Sequence, residues 1–356
     1  MFASDVPLAS LTTLGVGGPA ARYVEAGTDA RLGEALAWAR EASVPVTLLA
    51  GGSNVVVADR GLAGLVVRVA TRGVCFAPPR EGRVRVEVAA GESLDALVAL
   101  AVERGLAGLE CLSGVPGSVG ATPVQNVGAY GQEVASTLVA VEALARATGE
   151  AVRFDASACG FGYRSSAFKG AWRDAYVVTR VTFDLVEGGA PDVRYPELAR
   201  ALGARPTLAE ARDAVLALRR GKSMLFDPAD ANGRSVGSFF VNPTLRADEA
   251  DAVARRADLP AGESMPRYAA AGGFAKLSAG WLIERAGFPR GTSDGRVGLS
   301  TRHALAVVNR GGASAAEVVA FAARVRAGVR ERFGVSLAVE PDLLGFEPGE
   351  VAGLRG

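Results

Sequence analysis

The chain has 356 residues, of which 49% are hydrophobic and 22% are charged, so it is long and apolar enough to bury more than one hydrophobic core. Its 39 basic residues almost balance its 38 acidic residues, and the net charge of +1 does not favour nucleic acid or a membrane surface as a partner. Three widely spaced cysteines and a single histidine argue against a disulfide framework, a metal site and a Ser-His-Asp triad.

The first third of the chain combines short apolar strands with two capped helices. The pattern predicts strands over 21–26, 46–50, 55–58 and 83–91, a helix capped by Thr28 that runs through Ala42, and a helix from Ser93 to Arg104. Residues 15–20 fit the spacing GxGxxA, but no apolar strand precedes them and Pro19 interrupts the turn. A dinucleotide-binding turn needs a strand before it and a helix after it, so we reject that interpretation.

The turn Gly51-Gly52-Ser53-Asn54 lies between two of these predicted strands. Because no helix N-terminus follows it, the turn is neither a P-loop nor a Rossmann turn. Its backbone amides and the Ser53 hydroxyl could nevertheless hold a pyrophosphate. A plain β-hairpin is the alternative interpretation.

The segment 108–134, GLECLSGVPGSVGATPVQNVGAYGQEV, is the most distinctive stretch of the sequence. It is dense in glycine but carries too little charge for a solvated linker. Glycine is entropically costly, so such a run indicates backbone that approaches another group closely or repeatedly adopts positive φ. Turns of this kind form concave anion-binding nests, and Gln125 and Asn126 add neutral donors and acceptors. A tight loop with a purely structural role is the alternative.

The rest of the chain continues to mix strands and helices. Capping boxes at Thr207/Glu210 and Ser314/Glu317 begin two helices, which end at Gly221 and Gly334. The other predicted elements are a hairpin over 138–154, a polar and aromatic loop over 161–170, strands over 175–186, 302–309 and 335–346, and an amphipathic helix over 274–286.

Eight motifs follow one another along the chain: LTTLGVGG, LLAGGSNVVV, SGVPGSVGATPVQNVGAYGQEV, FGYRSSAFK, GSFFVNP, KLSAGWLIERAG, HALAVVN and GVSLAVEP. Each motif alone is weakly specific, but together they span essentially the whole sequence. In this combination the chain resembles the UDP-N-acetylenolpyruvoylglucosamine reductases, the flavoenzymes of peptidoglycan precursor synthesis. The resemblance implies an NADPH-dependent reductase that binds FAD and acts on a UDP-sugar.

The resemblance also implies an α+β fold. This is the FAD-binding fold of the vanillyl-alcohol-oxidase (PCMH) type in two lobes with FAD between them, plus a smaller α+β substrate-binding domain. We expect the first lobe at 1–70, rejoined by 336–356, the second lobe at 71–222, and the substrate-binding domain at 223–335. The composition changes near Ser223, which fits the last of these boundaries.

On this resemblance the two glycine-rich segments share one task, which is to hold the pyrophosphate and ribityl chain of FAD with backbone amides. Because the donors are amides and small polar side chains, we expect the FAD to be released when the protein is denatured. The expected cofactor-binding residues are Gly51, Gly52, Ser53, Asn54, Gly114, Pro116, Gly117, Ser118, Gly120, Gln125, Asn126, Gly128 and Ala129.

Reduction of an enolpyruvyl ether places negative charge on the carbon that bears the ether and the carboxylate, so the site needs a cation and a proton donor. By resemblance, Arg164 in FGYRSS is the catalytic arginine, whose planar fork suits a carboxylate that gains charge. Ser238 in GSFFVNP matches the proton donor, and Glu340 in SLAVEP matches the acidic partner of the developing enol. Asp342 is a neighbouring carboxylate, but the spacing from the preceding Gly-Val favours Glu340.

Tyr163, Tyr195 and Asn242 fall on positions that the family uses near the sugar nucleotide. Tyr195 belongs to a loop found in one of the two family subtypes, and FGYRSSAFK agrees with that subtype. The chain departs from the subtype after the helix predicted over 208–220, where it reads GKSMLFDP instead of Lys-Leu-Pro-Asp-Pro. The basic residue that would contact the substrate diphosphate is therefore displaced, and Lys222 is only a candidate for that contact. His303 is a candidate for contact with the nucleotide, although a lone histidine on a strand is more often structural.

Two alternatives remain, a non-catalytic protein that binds flavin or a UDP-sugar, and a sugar oxidase of the same flavin fold. The combination of Arg164, Ser238 and Glu340 favours the reductase, because a binding module has no use for all three. No segment has the pattern of a signal peptide or of a membrane-spanning helix. We therefore expect a soluble, monomeric protein of a reducing cytoplasm, with no nucleic-acid, membrane or metal partner.

Overall fold

The computed structural model describes residues 2–227, 229–260 and 262–355. The chain divides into two compact units, of which the first consists of Met1–Val6, Ala20–Gly52 and Ala63–Leu225, and the second of Pro7–Pro19, Ser53–Leu62 and Phe226–Gly356. The segment 336–356 belongs to the second unit, as do two stretches of the predicted first lobe. The division into two lobes and a substrate-binding domain stays a prediction.

Two sheets form most of the first unit. One has four strands in the order Val6–Pro7, Pro19–Ala26, Leu62–Val69 and Val46–Leu49. The other is antiparallel in the order Ala151–Asp155, Leu138–Ala145, Tyr176–Glu187, Arg83–Ala89 and Val74–Phe76, with Leu106–Ala107 also paired to Tyr176–Glu187. A short ribbon joins Gly128–Ala129 to Gln132–Glu133. The predicted hairpin and the predicted strands over 21–26, 83–91 and 175–186 are confirmed.

Three helices of the first unit begin at predicted caps: Asp29–Glu41, Leu94–Glu103 and Leu208–Gly221. The short helix Pro196–Ala201 was not predicted, and no side chain among the described residues caps it. The Thr28 hydroxyl accepts from the Arg31 amide at 3.1 Å, and Thr207 forms a complete capping box with Glu210. Such caps satisfy backbone amides that have no partner within the first helical turn. The helix Leu94–Glu103 packs its buried face, which includes Leu97 and Val98, against the core of the antiparallel sheet.

The second unit is built around one long helix, Ala315–Phe333, which starts at the predicted Ser314/Glu317 capping box and ends at Gly334 with φ +72°. Its apolar face packs in one hydrophobic core together with the shorter helices Ala247–Arg256 and Ala279–Arg285. The strands are Thr244–Arg246, Phe274–Leu277 and Arg267–Ala270 in one sheet, Ser293–Asp294, Val297–Leu299 and Val307–Asn309 in another, and the parallel pair Val55–Val57 and Asp342–Leu344. No helix among the described residues is long and apolar enough to cross a membrane.

Three predicted elements of the second unit are wrong in extent. The helix predicted over 274–286 begins only at Ala279, because Phe274–Leu277 pairs with strands on both sides and Ser278 caps the helix after it. The strands predicted over 302–309 and 335–346 shrink to Val307–Asn309 and Asp342–Leu344. Leu305 is buried in a turn outside the strand. An apolar pattern indicates that residues are buried. A strand also requires a hydrogen-bonded partner strand, which the local sequence does not specify.

Candidate functional site

The turn at Gly51 and the loop Gly114–Gly120 lie against each other in the first unit. A Cβ atom on Gly51 would lie 2.9 Å from the Cα atom of Gly117, so the two backbones meet without room for a side chain. Gly120 is equally constrained, since a Cβ atom there would lie 2.4 Å from the Cβ atom of Ala90. The structure thus brings together two glycine-rich segments that are more than sixty residues apart in the sequence.

The segment 51–54 is not the turn of a hairpin. Val46–Leu49 pairs in parallel with Leu65–Arg68, whereas Val55–Val57 pairs in parallel with Asp342–Leu344. The alternative interpretation as a plain hairpin is therefore wrong. The chain passes from the first unit to the second within this segment, so Gly51 and Gly52 belong to the first unit and Ser53 and Asn54 to the second.

Ser118 has a buried hydroxyl next to this close approach. Its side chain is 7% exposed, and no described residue offers its Oγ a hydrogen bond. At the start of the same loop, the Gly114 amide donates to Asp95 Oδ1 at 2.7 Å. Because an unsatisfied buried hydroxyl costs free energy, Ser118 indicates an additional polar ligand at this loop.

Arg164 occupies a tight turn that is joined to the second half of the glycine-rich loop. Gly162 and Ser165 exchange backbone hydrogen bonds of 3.0 and 3.2 Å around the turn, and Arg164 Nη2 donates to the Gly128 carbonyl at 2.9 Å. Asn126 is 1% exposed, and its Nδ2 donates to Glu133 at 2.7 Å and to the Gly162 carbonyl at 3.1 Å. The amide of Asn126 therefore ties the loop to the arginine turn, a role that the sequence did not predict.

Three residues of the same region have unusual backbone conformations. Asn126, Tyr130 and Arg164 have φ angles of +47°, +48° and +53°, although none of them is glycine. A non-glycine residue in the left-handed region costs on the order of 1 kcal/mol or more and persists only where the surrounding contacts hold it. Such residues gather at functional sites, so the strain supports the assignment of this region to the site.

Ser238 and Glu340 lie on two segments of the second unit that are hydrogen-bonded to each other. The Glu340 amide donates to the carbonyl of Phe239 at 2.9 Å, and Phe240 forms an antiparallel bridge with Val339. Asn54 holds the same segment, because its Nδ2 donates to the Glu340 carbonyl at 3.4 Å and its own carbonyl accepts from the Asp342 amide at 3.0 Å. Three residues that the sequence assigned to the site from distant positions thus lie close together.

The loop that carries Ser238 is fixed by the N-terminal LTTLGVGG motif and by the strand Val307–Asn309. The Thr13 hydroxyl donates to the Ser235 carbonyl at 2.7 Å, and the Asn309 amide donates to the Arg234 carbonyl at 2.9 Å. Asn309 Nδ2 in turn donates to the Leu14 carbonyl at 3.0 Å. These bonds connect a motif without an assigned role to the backbone three residues before Ser238.

The predicted substrate residues Tyr195 and Lys222 meet at Tyr130. The rings of Tyr130 and Tyr195 are 5.4 Å apart in an edge-to-face arrangement, and Lys222 Nζ lies 5.6 Å from the centre of the Tyr130 ring. Lys222 also forms an ion pair with Glu197. Burial raises the pKa of Tyr130 to about 12, so its hydroxyl is protonated at neutral pH. Tyr163 lies beside Arg164, whose guanidinium carbon is 5.4 Å from the Tyr163 ring centre.

The remaining predicted residues have more local roles. Asn242 Oδ1 accepts from the Ala279 amide at 2.9 Å, which helps to cap the helix Ala279–Arg285. His303 is half-buried in the turn before Val307–Asn309 and not on a strand as predicted. Gln125 Oε1 accepts from Lys169 Nζ at 3.3 Å, and Gly128–Ala129 pairs with Gln132–Glu133.

Comparison with known proteins identifies the family. A family model described as an FAD binding domain matches residues 20–155, and one described as the C-terminal domain of UDP-N-acetylenolpyruvoylglucosamine reductase matches residues 227–344. A UDP-N-acetylenolpyruvoylglucosamine reductase from Thermobifida fusca is 49% identical over 355 residues, which cover 97% of this chain and 98% of that protein. The chain belongs to the UDP-N-acetylenolpyruvoylglucosamine reductase family.

Two further members of this reductase family are also similar to the chain. The protein of that name from Saccharopolyspora erythraea is 51% identical over 346 residues, which cover 95% of this chain and 94% of that protein. The solved structure of the reductase from Thermus caldophilus is 28% identical and covers 97% of this chain and 100% of that chain, with a TM-score of 0.66. The predicted α+β fold with an FAD-binding domain and the prediction of a flavoprotein oxidoreductase are confirmed.

The residues of the first unit fit the FAD that the reductase family binds. The contact between Gly51 and Gly117 leaves no space for a Cβ atom, which allows a ligand to reach the backbone amides. The Ser118 hydroxyl offers a buried polar atom without a partner among the described residues. Both features suit the pyrophosphate of a dinucleotide, and both lie in residues expected to bind it.

Sequence reasoning missed a buried network behind the glycine-rich loop. Glu110 is 1% exposed and accepts from the Gly108 amide at 2.7 Å, from Gln132 Nε2 at 3.0 Å and from the Asp192 amide at 2.8 Å. Gln132 Oε1 accepts from the Cys111 amide at 3.0 Å. The network fixes the loop to the segment that leads to Tyr195. The signal in the sequence is a lone glutamate within the apolar run GLECL, which is costly to bury unless hydrogen-bonded.

Proposed function

We propose that this chain reduces the enolpyruvyl ether of UDP-N-acetylglucosamine enolpyruvate to UDP-N-acetylmuramate, with NADPH as reductant, in peptidoglycan precursor synthesis. The observation that carries the proposal is the backbone hydrogen bond of 2.9 Å from the Glu340 amide to the Phe239 carbonyl, which joins the segment of the acidic candidate to the segment that contains Ser238. The near full-length identity to reductases of this name supports it. The expected monomer is tested by light scattering of the purified protein.

The reaction makes two demands on the protein. A hydride adds to the methylene carbon of the enolpyruvyl group, which leaves an electron pair on the carbon between the ether oxygen and the carboxylate. A proton must then reach that carbon to complete the reduction. FAD supplies the hydride when it is bound, and the side chains supply positioning, charge stabilisation and the proton.

Arg164 is proposed to stabilise the carboxylate as it gains charge. Its Nη2 donates to the Gly128 carbonyl, so the guanidinium is held in place, and its planar fork has the geometry that matches a carboxylate. Its left-handed backbone, with φ +53°, indicates a conformation fixed by neighbouring contacts and not by its own preference. A fixed cation needs little reorganisation when the substrate charge develops, which is what electrostatic stabilisation requires.

Ser238 is proposed to donate the proton, and Glu340 to hydrogen-bond the developing enol. Ser238 is half-buried between Gly237, with φ +75°, and the fully buried Phe239. A hydroxyl on a backbone held this firmly can keep one direction toward the substrate carbon. Glu340 is also half-buried, and Asn54 secures its carbonyl. Tyr163, Tyr195, Lys222, Asn242 and His303 remain proposed contacts of the UDP-sugar.

The two half-reactions test the proposal separately. The absorbance of the flavin is followed anaerobically in a stopped-flow instrument, first with NADPH alone and then with the enolpyruvyl sugar nucleotide. The Ser238→Ala variant should be reduced by NADPH at nearly the parent rate but reoxidised by the substrate about 10²–10⁴-fold more slowly, because general acid catalysis is lost. Ser238→Cys should retain part of the activity.

Ser235→Ala is the matched control, because its hydroxyl accepts from the Gly237 amide at 3.3 Å in the same loop. It should disturb the loop slightly without removing a donor, and reoxidation should stay within a few-fold of the parent. Parent-like reoxidation of Ser238→Ala would refute the proposed donor. Flavin that NADPH does not reduce would point to a binding protein, and flavin reduced by a sugar and reoxidised by oxygen would point to an oxidase.

A further inference from the structure

Arg219 is a buried cation that forms no ion pair with any described residue. It lies in the last turn of the helix Leu208–Gly221 and is 8% exposed. Its Nη2 donates to the Met224 carbonyl at 2.7 Å, whereas its Nε is buried and has no acceptor among the described residues. The nearby carboxylate of Asp95 is already engaged by both nitrogens of Arg212, at 2.6 and 3.2 Å, and by the Gly114 amide.

This arrangement is unfavourable for the protein alone. Burial lowers the pKa of Arg219, which means that its surroundings disfavour the charged form. A guanidinium nevertheless stays protonated in proteins, so the cost is not relieved by loss of a proton. A buried charge is normally paired, because an unpaired one loses its hydration without compensation. The position therefore calls for an anionic acceptor from outside the chain.

The Nε atom of Arg219 lies against the glycine-rich loop. A Cβ atom on Gly114 would be 3.3 Å from this nitrogen, and only 2.4 Å from a methyl group of Leu225. Gly114 has φ +69°, so a larger residue there would be strained as well as crowded. A second buried polar atom, Ser223 Oγ, also has no partner among the described residues and follows the same helix end. Ser118 Oγ and Arg219 Nε are therefore two buried polar atoms at this loop that have no partner among the described residues.

We propose that Arg219 is the cationic member of the FAD site, and that its Nε–H donates to an anionic group of the bound cofactor. The donors expected from the sequence in this loop are neutral, yet FAD carries negative charge on its diphosphate and gains charge on its pyrimidine ring when reduced. Arg219 supplies the positive charge that the amide cradle lacks. The acceptor belongs either to the diphosphate or to the pyrimidine ring of the flavin. The experiment below distinguishes these two positions.

The experiment compares Arg219→Met and Arg219→Lys with Arg220→Met, since Arg220 is the exposed neighbour on the same helix. The full-length chain is stripped of flavin and titrated with FAD and with riboflavin, and the midpoint potential of the reloaded protein is measured. We expect Arg219→Met to raise the Kd for FAD by at least about tenfold, as loss of a buried charged contact does, and Arg219→Lys to raise it less. Arg220→Met should match the parent.

The source of the negative charge follows from the riboflavin titration. An unchanged Kd for riboflavin in Arg219→Met would locate the contact at the diphosphate. A weakened Kd for riboflavin, together with a lower midpoint potential, would locate it at the pyrimidine ring. Both results support the proposal, whereas an FAD affinity and a midpoint potential equal to those of Arg220→Met would overturn it.

Thermal unfolding separates a cofactor contact from a structural one. Binding to the folded state raises the Tm, so a lost FAD contact should shrink the increase in Tm that FAD produces. A drop in the Tm of the flavin-free chain with a parent-like increase on adding FAD would show a structural role and would overturn the proposal. If Arg219→Met does not fold, Arg219→Lys decides by the same criteria, because it keeps a donor beside the Met224 carbonyl.

Discussion

A Cβ atom built on Gly51 would lie 2.9 Å from the Cα atom of Gly117. Real Cβ atoms essentially never approach other atoms this closely, so glycine at position 51 is required by space. The contact joins two loops that no local sequence rule connects. It also leaves their amides uncovered by side chains, which suits a ligand that binds to backbone.

Gly51→Ala should weaken FAD binding, because the new methyl group pushes the turn away from Gly117. We expect the Kd for FAD to rise by roughly tenfold or more, measured by flavin fluorescence. Gly33→Ala is the control in the helix Asp29–Glu41, since a Cβ atom there would meet no described residue within 4 Å apart from its chain neighbours and the backbone of its own helix. It should leave the Kd unchanged and stabilise the protein by about 0.5–1 kcal/mol. Equal affinities in the two variants would mean that the close approach does not shape the cofactor site.

Arg164→Lys should slow reoxidation of the flavin by the substrate and leave reduction by NADPH intact. Lysine keeps the charge, but one ammonium group cannot both donate to the Gly128 carbonyl and present a planar fork to a carboxylate. We expect a loss of roughly 10²-fold in stopped-flow reoxidation, comparable to removal of one transition-state donor. Arg153→Lys, which changes an exposed pair with Glu142, should have no effect. A parent-like rate for Arg164→Lys would contradict the proposed role.

Thr13→Val should slow the same half-reaction through the position of Ser238. The substitution removes the hydroxyl that donates to the Ser235 carbonyl and preserves the shape of the side chain. Small misplacements of a reacting group are costly, so we expect a decrease of roughly tenfold in reoxidation by substrate. Thr13→Ser should restore the rate. Thr12→Val is the control, because the Thr12 hydroxyl donates within its own loop, to the Val16 carbonyl at 3.0 Å. Equal slowing in both variants would indicate general damage to the loop.

Asp95→Asn should destabilise the first unit at neutral pH. Partial burial raises the pKa of Asp95, but the hydrogen bonds from Arg212 and Gly114 outweigh it, so the net pKa lies below its ordinary value. The stabilisation is therefore present above the unfolded pKa of about 3.9 and is lost as pH falls through the folded pKa. Because the Asp95 side chain is 37% exposed, solvent screens the pair, and we expect a loss of about 1 kcal/mol at pH 7.

Urea unfolding at a series of pH values checks this expectation. The difference between the parent and Asp95→Asn should be constant from neutral pH down to about pH 4 and should shrink below it. Glu142→Gln, which removes an exposed ion pair with Arg153, should cost less than about 0.5 kcal/mol. If the difference in unfolding free energy between the parent and Asp95→Asn grew toward low pH, it would contradict the lowered pKa of Asp95.

A thiol reagent at pH 8 should modify one cysteine of the native protein rapidly. Cys75 is exposed, whereas Cys111 and Cys159 are buried. Burial raises the pKa of Cys111 to about 12 and that of Cys159 to about 11, so both remain protonated and unreactive. Denaturant should expose all three thiols to the reagent, and the absorbance of the group that the reagent liberates counts them. Rapid reaction of Cys75→Ser would show that one of the buried thiols is accessible.

The sequence alone determined the starts of the helices capped by Thr28, Ser93, Thr207 and Ser314, several of the long strands and the family. Thr28, Thr207 and Ser314 predict their helices because a cap acts within one turn, and its partners are adjacent in the chain. The order of the eight motifs predicted the reductase family for a different reason. It reflects common ancestry with that family and does not depend on a local interaction in the chain. The same resemblance predicted the site residues, including Ser238 and Glu340.

Only the tertiary structure decided which of these residues meet. The sequence pattern of Phe274–Leu277 is compatible with a helix, and strand partners on both sides make it a strand. The bond from Glu340 to Phe239, the contact of Gly51 with Gly117 and the burial of Arg219 each join residues that are far apart in the chain. Close packing and the pairing of buried polar groups depend on what folding brings nearby, and a linear pattern does not contain that information.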